Sequence, residues 1–196
     1  MVLPGDKINN EYQNPIDIGL LYFCRAVDQP LHAMGVTPNM ITLFGLIIGI
    51  MSIYFLIHKH YLIAVLLLWF TYFTDCLDGY MARKYNQTSK LGDYLDHFRD
   101  QFVILCIVIL MTLHIKEFKY RLLFVFVITI SAILMLSQLG CQEKLAEYND
   151  HNECLGFLKK LCPGNAEENI KLTRWCGCGT FYLILSIFIV ALRYQI

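Results

Sequence analysis

The stretch Thr74–Asp100, TDCLDGYMARKYNQTSKLGDYLDHFRD, decides how the rest of the chain is read. It carries five aspartates and four basic residues inside a chain that is otherwise mostly apolar. Charged groups within a bilayer cost about 3 kcal/mol each unless they find partners, so their presence here points to function. Asp75 and Asp78 are three positions apart, and Asp96 and Asp100 are four apart. On helices each pair projects from one face. Four converging carboxylates repel one another unless cations lie between them, and hard divalent ions such as Mg²⁺ or Mn²⁺ suit an all-oxygen donor set. Arg83, just over a turn beyond Asp78, can reach an anionic ligand held there. These residues alone describe a metal-dependent site for a phosphorylated substrate.

Reading outward, Tyr61 to Thr74 is apolar for only 14 residues, too short to span a bilayer by itself. Continued through Asp75, Asp78 and Arg83, the helix becomes long enough and its charges lie at the membrane–water boundary. Lys84–Ser89 is the turn, and a helix from about Leu91 to His114 carries Asp96 and Asp100 at its start. Acids at the end of one span and the beginning of the next place all four on the same side. Upstream, Thr37-Pro38 is a cap followed by a first-turn proline. It launches Met40–Ile57, which carries no charge over 18 residues, about 27 Å of helix. Downstream come a basic loop with Lys116, Lys119 and Arg121, a fourth span Leu122–Gly140, a polar segment 142–174 and a fifth span Thr180–Leu192.

The segment 14–30 begins with Asn14-Pro15, mixes apolar and charged positions, and is expected to close at Pro30. It suits an amphipathic helix at the interface as well as a surface helix packed on the bundle. Met1–Gln13 lacks the apolar core of a signal peptide. The expected fold is all-α: a polytopic membrane bundle of five clear transmembrane helices, with a sixth left open, plus the N-terminal interfacial helix. By length, 1–196 is one domain with its transmembrane core at 40–193.

Composition agrees. The chain is 57% hydrophobic and 16% charged with zero formal net charge, whereas soluble domains carry about 25% charged residues. No basic run exceeds two residues, which excludes nucleic acid as a partner. The eight cysteines show neither a zinc-ligand spacing nor a disulfide framework, and structural use of Cys141, Cys154, Cys162, Cys176 and Cys178 is not expected. Asn86-Gln87-Thr88 matches a glycosylation sequon and reads as a chance match beside the acidic motif. Gly45-x-x-x-Gly49 is the one candidate face for a homodimer.

The pattern Asp75-x-x-Asp78-Gly79-x-x-Ala82-Arg83-x8-Gly92-x-x-x-Asp96-x-x-x-Asp100 resembles the signature of the CDP-alcohol phosphotransferase family at all eight of its defining positions. The resemblance implies attack of an alcohol on the β-phosphoryl group of a CDP-linked donor, with release of CMP, in phospholipid biosynthesis. It implies Mg²⁺ or Mn²⁺, two ions, held by Asp75, Asp78, Asp96 and Asp100, with Asp100 as general base. It further implies CDP binding at Asp78, Gly79, Ala82, Arg83 and Gly92, where the small residues admit the nucleotide and Arg83 holds phosphate. Asp96-His97, Asn14-Pro15-Ile16-Asp17 and Thr37–Thr42 are similar to the choline/ethanolamine branch, whose donors are CDP-choline or CDP-ethanolamine and whose acceptor is diacylglycerol. Chain length favours instead the branches that join CDP-diacylglycerol to a soluble alcohol. Relatives with this motif have six membrane helices, so either part of 142–174 re-enters the membrane or this chain is shorter.

Two other classes compete. An intramembrane prenyltransferase also uses Asp-rich sites, but with its acidic motifs far apart in sequence. A non-enzymatic cation-binding protein or transporter would need the aspartates yet not the Gly, Ala and Arg positions. Salt bridges from Lys84, Lys90 or Arg99 are the plain structural reading of the same acids. Counting basic residues on the two sides favours a site on the cytoplasmic face of a multi-pass protein, in the endoplasmic reticulum membrane if the host is eukaryotic.

Overall fold

Polar caps start the helices where the sequence places them. The computed structural model describes residues 3–146, 156–162 and 164–194. The Asn14 side chain accepts from the Ile16 amide at 3.0 Å and opens α1, Pro15–Ala33. Thr37 caps α2, Pro38–Ile57, and Ser89 caps α4, Lys90–His114, by accepting from the Gly92 amide. Such caps satisfy amide donors that have no intrahelical acceptor. Between them, α3 runs unbroken over Tyr61–Lys84, through Asp75 and Asp78. Helix α5, Phe118–Ala146, extends past both ends of the expected fourth span, and α6, Ala166–Thr173, and α7, Cys178–Ala191, follow.

Five helical stretches are long and apolar enough to cross a membrane: Pro38–Ile57, Tyr61–Lys84, Lys90–His114, Phe118–Ala146 and Ala166–Tyr194. Among the described residues there is no sixth. Of the polar segment 142–174, the described parts form the end of α5, a 3₁₀ turn at Gly156–Leu161 and the eight-residue α6. Glu147, Asp150, Glu153, Cys154 and Pro163 lie outside the described residues.

A shared core draws buried residues from all five spans, among them Leu56, Leu68, Ile107, Phe124 and Leu185. Helix α2 turns Gly45, Gly49 and Ser52 inward. A Cβ on Gly49 would stand 2.5 Å from Val103, and one on Gly45 would strike Thr74. The Gly45-x-x-x-Gly49 face is therefore used within the chain, against α3 and α4, and is not a free surface for a second copy. Sequence spacing marks a close helix approach but not which helix approaches.

Helix α1 continues past Pro30 to Ala33, a correction to the expected end there. Its close is a Schellman turn: Gly35 at φ +79°, its amide bonded to the His32 carbonyl and the Val36 amide to that of Leu31. The left-handed conformation that glycine allows ends this helix. One face of α1 buries Leu21, Cys24 and Asp28, while Tyr22 and Phe23 stay exposed.

A second correction concerns the cysteines. Cys141 and Cys162 are joined by a disulfide, with Cα atoms 4.8 Å apart. Gly140 makes this approach possible, because any side chain there would collide with the Leu158 carbonyl. A separation of 21 residues carries no such signal in sequence.

Candidate active site

Because α3 ends and α4 begins at the same end of the bundle, their acidic faces meet. At their centre lies Arg99, only 1% exposed. Its Nη1 donates to Asp78 Oδ2 at 2.7 Å; its Nη2 donates to Asp96 at 2.6 Å, to Asp100 at 2.8 Å and also to Asp75. Nε adds a bond to Asp100 Oδ1 at 2.9 Å. The four aspartates of the motif therefore converge on one guanidinium, whose planar fork of donors suits carboxylates. Helix α2 contributes Thr42, whose hydroxyl donates to Asp78 Oδ2 at 2.7 Å.

One oxygen from each of Asp75, Asp78 and Asp96 can lie within 4.8 Å of the others. Four carboxylates against one guanidinium leave three negative charges uncompensated when all are ionised. Such an all-oxygen, strongly anionic donor set fits a hard divalent cation.

A cavity of about 840 Å³ opens onto the cluster. Asp75, Asp78, Asp96 and Asp100 line it, as do Gly79, Ala82, Arg83 and Gly92. Arg83 Nε donates to the Gly5 carbonyl at 2.9 Å, which fixes the guanidinium beside Gly79. A Cβ on Gly92 would sit 2.6 Å from Asn39 Oδ1. The missing side chain thus lets the start of α2 close against α4 at the cavity wall. His97 lines the cavity too, with Nδ1 3.6 Å from Asp96 and Nε2 3.7 Å from Asp93. Lys84 pairs not with the motif but with Asp28, at 2.5 Å.

Two contributors were not among the sequence candidates for the site. Arg99 was read only as a salt-bridge neighbour, although it lies three residues beyond Asp96 and so on its helix face. Thr42, four residues past Pro38, ends the Thr37–Thr42 segment that resembles the choline/ethanolamine branch, but nothing in the sequence tied it to Asp78.

The family model for CDP-alcohol phosphatidyltransferase matches residues 35–153. The chain is similar to CDP-diacylglycerol–glycerol-3-phosphate 3-phosphatidyltransferases from three bacteria. It is 38% identical over 64 residues to that of Aquifex aeolicus, covering 33% of this chain and 36% of the relative. With that of Haemophilus influenzae it shares 32% over 104 residues, 52% of either chain. With that of Blochmanniella floridana it shares 26% over 183 residues, 81% of this chain and 94% of the relative. The chain thus spans about a third to a half of the length of the first two. No solved structure matches. The motif at eight positions, the two helices that bring it together and the match over residues 35–153 have one conclusion: the chain belongs to the CDP-alcohol phosphatidyltransferase family.

Proposed function

We propose that this protein transfers a phosphatidyl group from CDP-diacylglycerol to an alcohol, releasing CMP, and does so with Mg²⁺ or Mn²⁺. The observation that carries the reading is the meeting of four carboxylates from two helices at a cavity that also presents Gly79, Ala82, Arg83 and Gly92. CDP-diacylglycerol is preferred over CDP-choline or CDP-ethanolamine because it is the donor named for the relatives above.

Asp75, Asp78, Asp96 and Asp100 are the residues that would hold the metal, two ions by the family's pattern. When bound, such ions neutralise charge on a pyrophosphate and on the attacking and leaving oxygens. Arg83 binds donor phosphate, and the helix backbones at Gly79, Ala82 and Gly92 let the cytidine nucleotide lie close. Asp100 accepts the proton of the acceptor hydroxyl; its role requires an approach of about 3 Å, directly or through one water. The hydroxyl oxygen forms the new bond to phosphorus while the bond to CMP breaks. Arg99 positions the carboxylates: with Nε and Nη2 both on Asp100 Oδ1, it fixes the base relative to Asp75 and Asp96.

Charge supports one sidedness. Lys84, Lys90, Lys144, Lys159, Lys160, Lys171 and Arg174 stand at the site's end of the bundle, against Lys59, Lys116, Lys119, Arg121 and Arg193 at the other. The excess supports a cytoplasmic site. The testing experiment is CMP release by membranes carrying the protein, supplied with CDP-diacylglycerol, a panel of alcohols, and Mg²⁺ or a chelator. Metal-dependent CMP supports the reading; release from CDP-choline with diacylglycerol alone would move it to the other branch.

A further inference from the structure

Besides the carboxylates, Gly79 and Gly92, the cavity has a part lined by residues of α1, α5 and α7. Asp17, Tyr72, Gln101, Gln142 and Tyr182 supply its polar and aromatic lining. This part of the cavity is open to an acceptor whose hydroxyl reaches Asp100.

Asp17 sits on the N-terminus of α7. The Gly179 amide donates to Asp17 Oδ1 at 3.0 Å, and the Tyr72 hydroxyl donates to the same oxygen at 2.5 Å. A helix N-terminus is a ready seat for a phosphate, because its free amides and its dipole favour negative charge. Here a carboxylate of the chain already holds that seat. Burial pushes Asp17 up to about 6, against the hydrogen bonds from Tyr72 and Gly179 that lower it.

The cations near the cavity are committed elsewhere. Lys7 and Arg83 are the Lys and Arg residues that line it among the described residues. Lys7 is paired with Glu143. Arg83 stands by Gly79, on the nucleotide side, and the described donors of Arg99 go to the four aspartates. The stretch 147–155 contains three acids and no Lys or Arg. Among the described residues the Lys and Arg side chains that line the cavity are thus paired or on the nucleotide side, and the Tyr72 and Tyr182 rings, stacked at 4.2 Å, add an aromatic edge to the lining.

We propose that the acceptor is an alcohol without negative charge, neutral or cationic, and that Asp17 enforces the choice by holding the α7 N-terminus. This rests on the phosphatidyl-transfer reading, and it separates the chain from relatives named for glycerol 3-phosphate. The acceptor hydroxyl gives its proton to Asp100 and its oxygen to phosphorus, and CMP leaves with the electron pair of the broken bond.

The test uses full-length protein in lipid nanodiscs with CDP-diacylglycerol and Mg²⁺. It compares glycerol, inositol and ethanolamine with glycerol 3-phosphate as acceptors by CMP release. The expected result is a kcat/KM for glycerol 3-phosphate at least tenfold below that of the best uncharged or cationic alcohol. In Asp17→Asn the gap narrows at least threefold, through a lower KM for glycerol 3-phosphate. The wild-type comparison stands even if that variant does not fold. Glycerol 3-phosphate as the best acceptor would overturn this inference and leave phosphatidyl transfer intact. No CMP release with any of these acceptors, from folded protein that also binds no CDP-diacylglycerol, would overturn the transfer reading and this inference with it.

Discussion

Arg99 and Asp78 are 1% and 3% exposed and are joined by a 2.7 Å bond across the α3–α4 contact. This pair is the hinge-pin of the site, since the same guanidinium reaches Asp75, Asp96 and Asp100. Removing one partner of a buried ion pair leaves an uncompensated charge and costs about 3–5 kcal/mol. Arg99→Gln is therefore expected to lower the thermal midpoint of the protein in detergent well below that of wild type. Arg99→Lys should rescue only part of this, because an ammonium cannot reproduce the fork. An unchanged midpoint in Arg99→Gln would show that the cluster does not depend on the guanidinium.

Asp17 gives the fold a pH dependence whose sign is fixed. Its folded value, about 6, lies above the ordinary 3.8. Between these values the folded state binds more protons than the unfolded one, so stability falls as pH rises from about 4 to about 6. The full difference is about 3 kcal/mol. Scans of the thermal midpoint at pH 5 and pH 7.5 should show the upper part of this loss, about 1.4 kcal/mol, in wild type, and a smaller one in Asp17→Asn. Equal slopes in the two proteins would remove Asp17 from the account.

The Cys141–Cys162 pair reports on sidedness, since it lies at the same end of the bundle as the motif. Cytosolic thiols are kept reduced, whereas bonds persist in oxidising compartments. The bond and a cytoplasmic site are therefore opposed. With the site facing the cytoplasm the pair is reduced in the cell, and both cysteines in freshly isolated, denatured protein should react with a maleimide-linked polymer before any reductant is added. Protection that reductant relieves would place the active site on the opposite, oxidising side.

Much of this arrangement was legible in the sequence, for identifiable reasons. Apolar runs bounded by Asn14-Pro15, Thr37-Pro38 and Ser89 located α1, α2 and α4, because capping and hydrophobic length are local properties. The convergence of Asp75, Asp78, Asp96 and Asp100 followed from their place at the end of one span and the start of the next. What escaped depends on tertiary approach. Arg99 could be seen to share a face with Asp96, yet only the α3–α4 contact brings it to Asp75 and Asp78. Gly45 and Gly49 were read toward a second copy, but they receive Thr74 and Val103 of their own chain. Asp17 belongs to a segment similar to the choline/ethanolamine branch, but its hold on α7 had no signal, since that helix end lies 162 residues away.

The central claim is metal-dependent phosphatidyl transfer with Asp100 as the base, and Asp100→Asn tests it most directly. CMP release from CDP-diacylglycerol, with the best acceptor and Mg²⁺, should fall by about 10²–10⁴-fold in kcat, while binding of CDP-diacylglycerol and the thermal midpoint stay near wild type. Wild-type turnover in the Asp100→Asn protein, or turnover unaffected by a chelator, would contradict it.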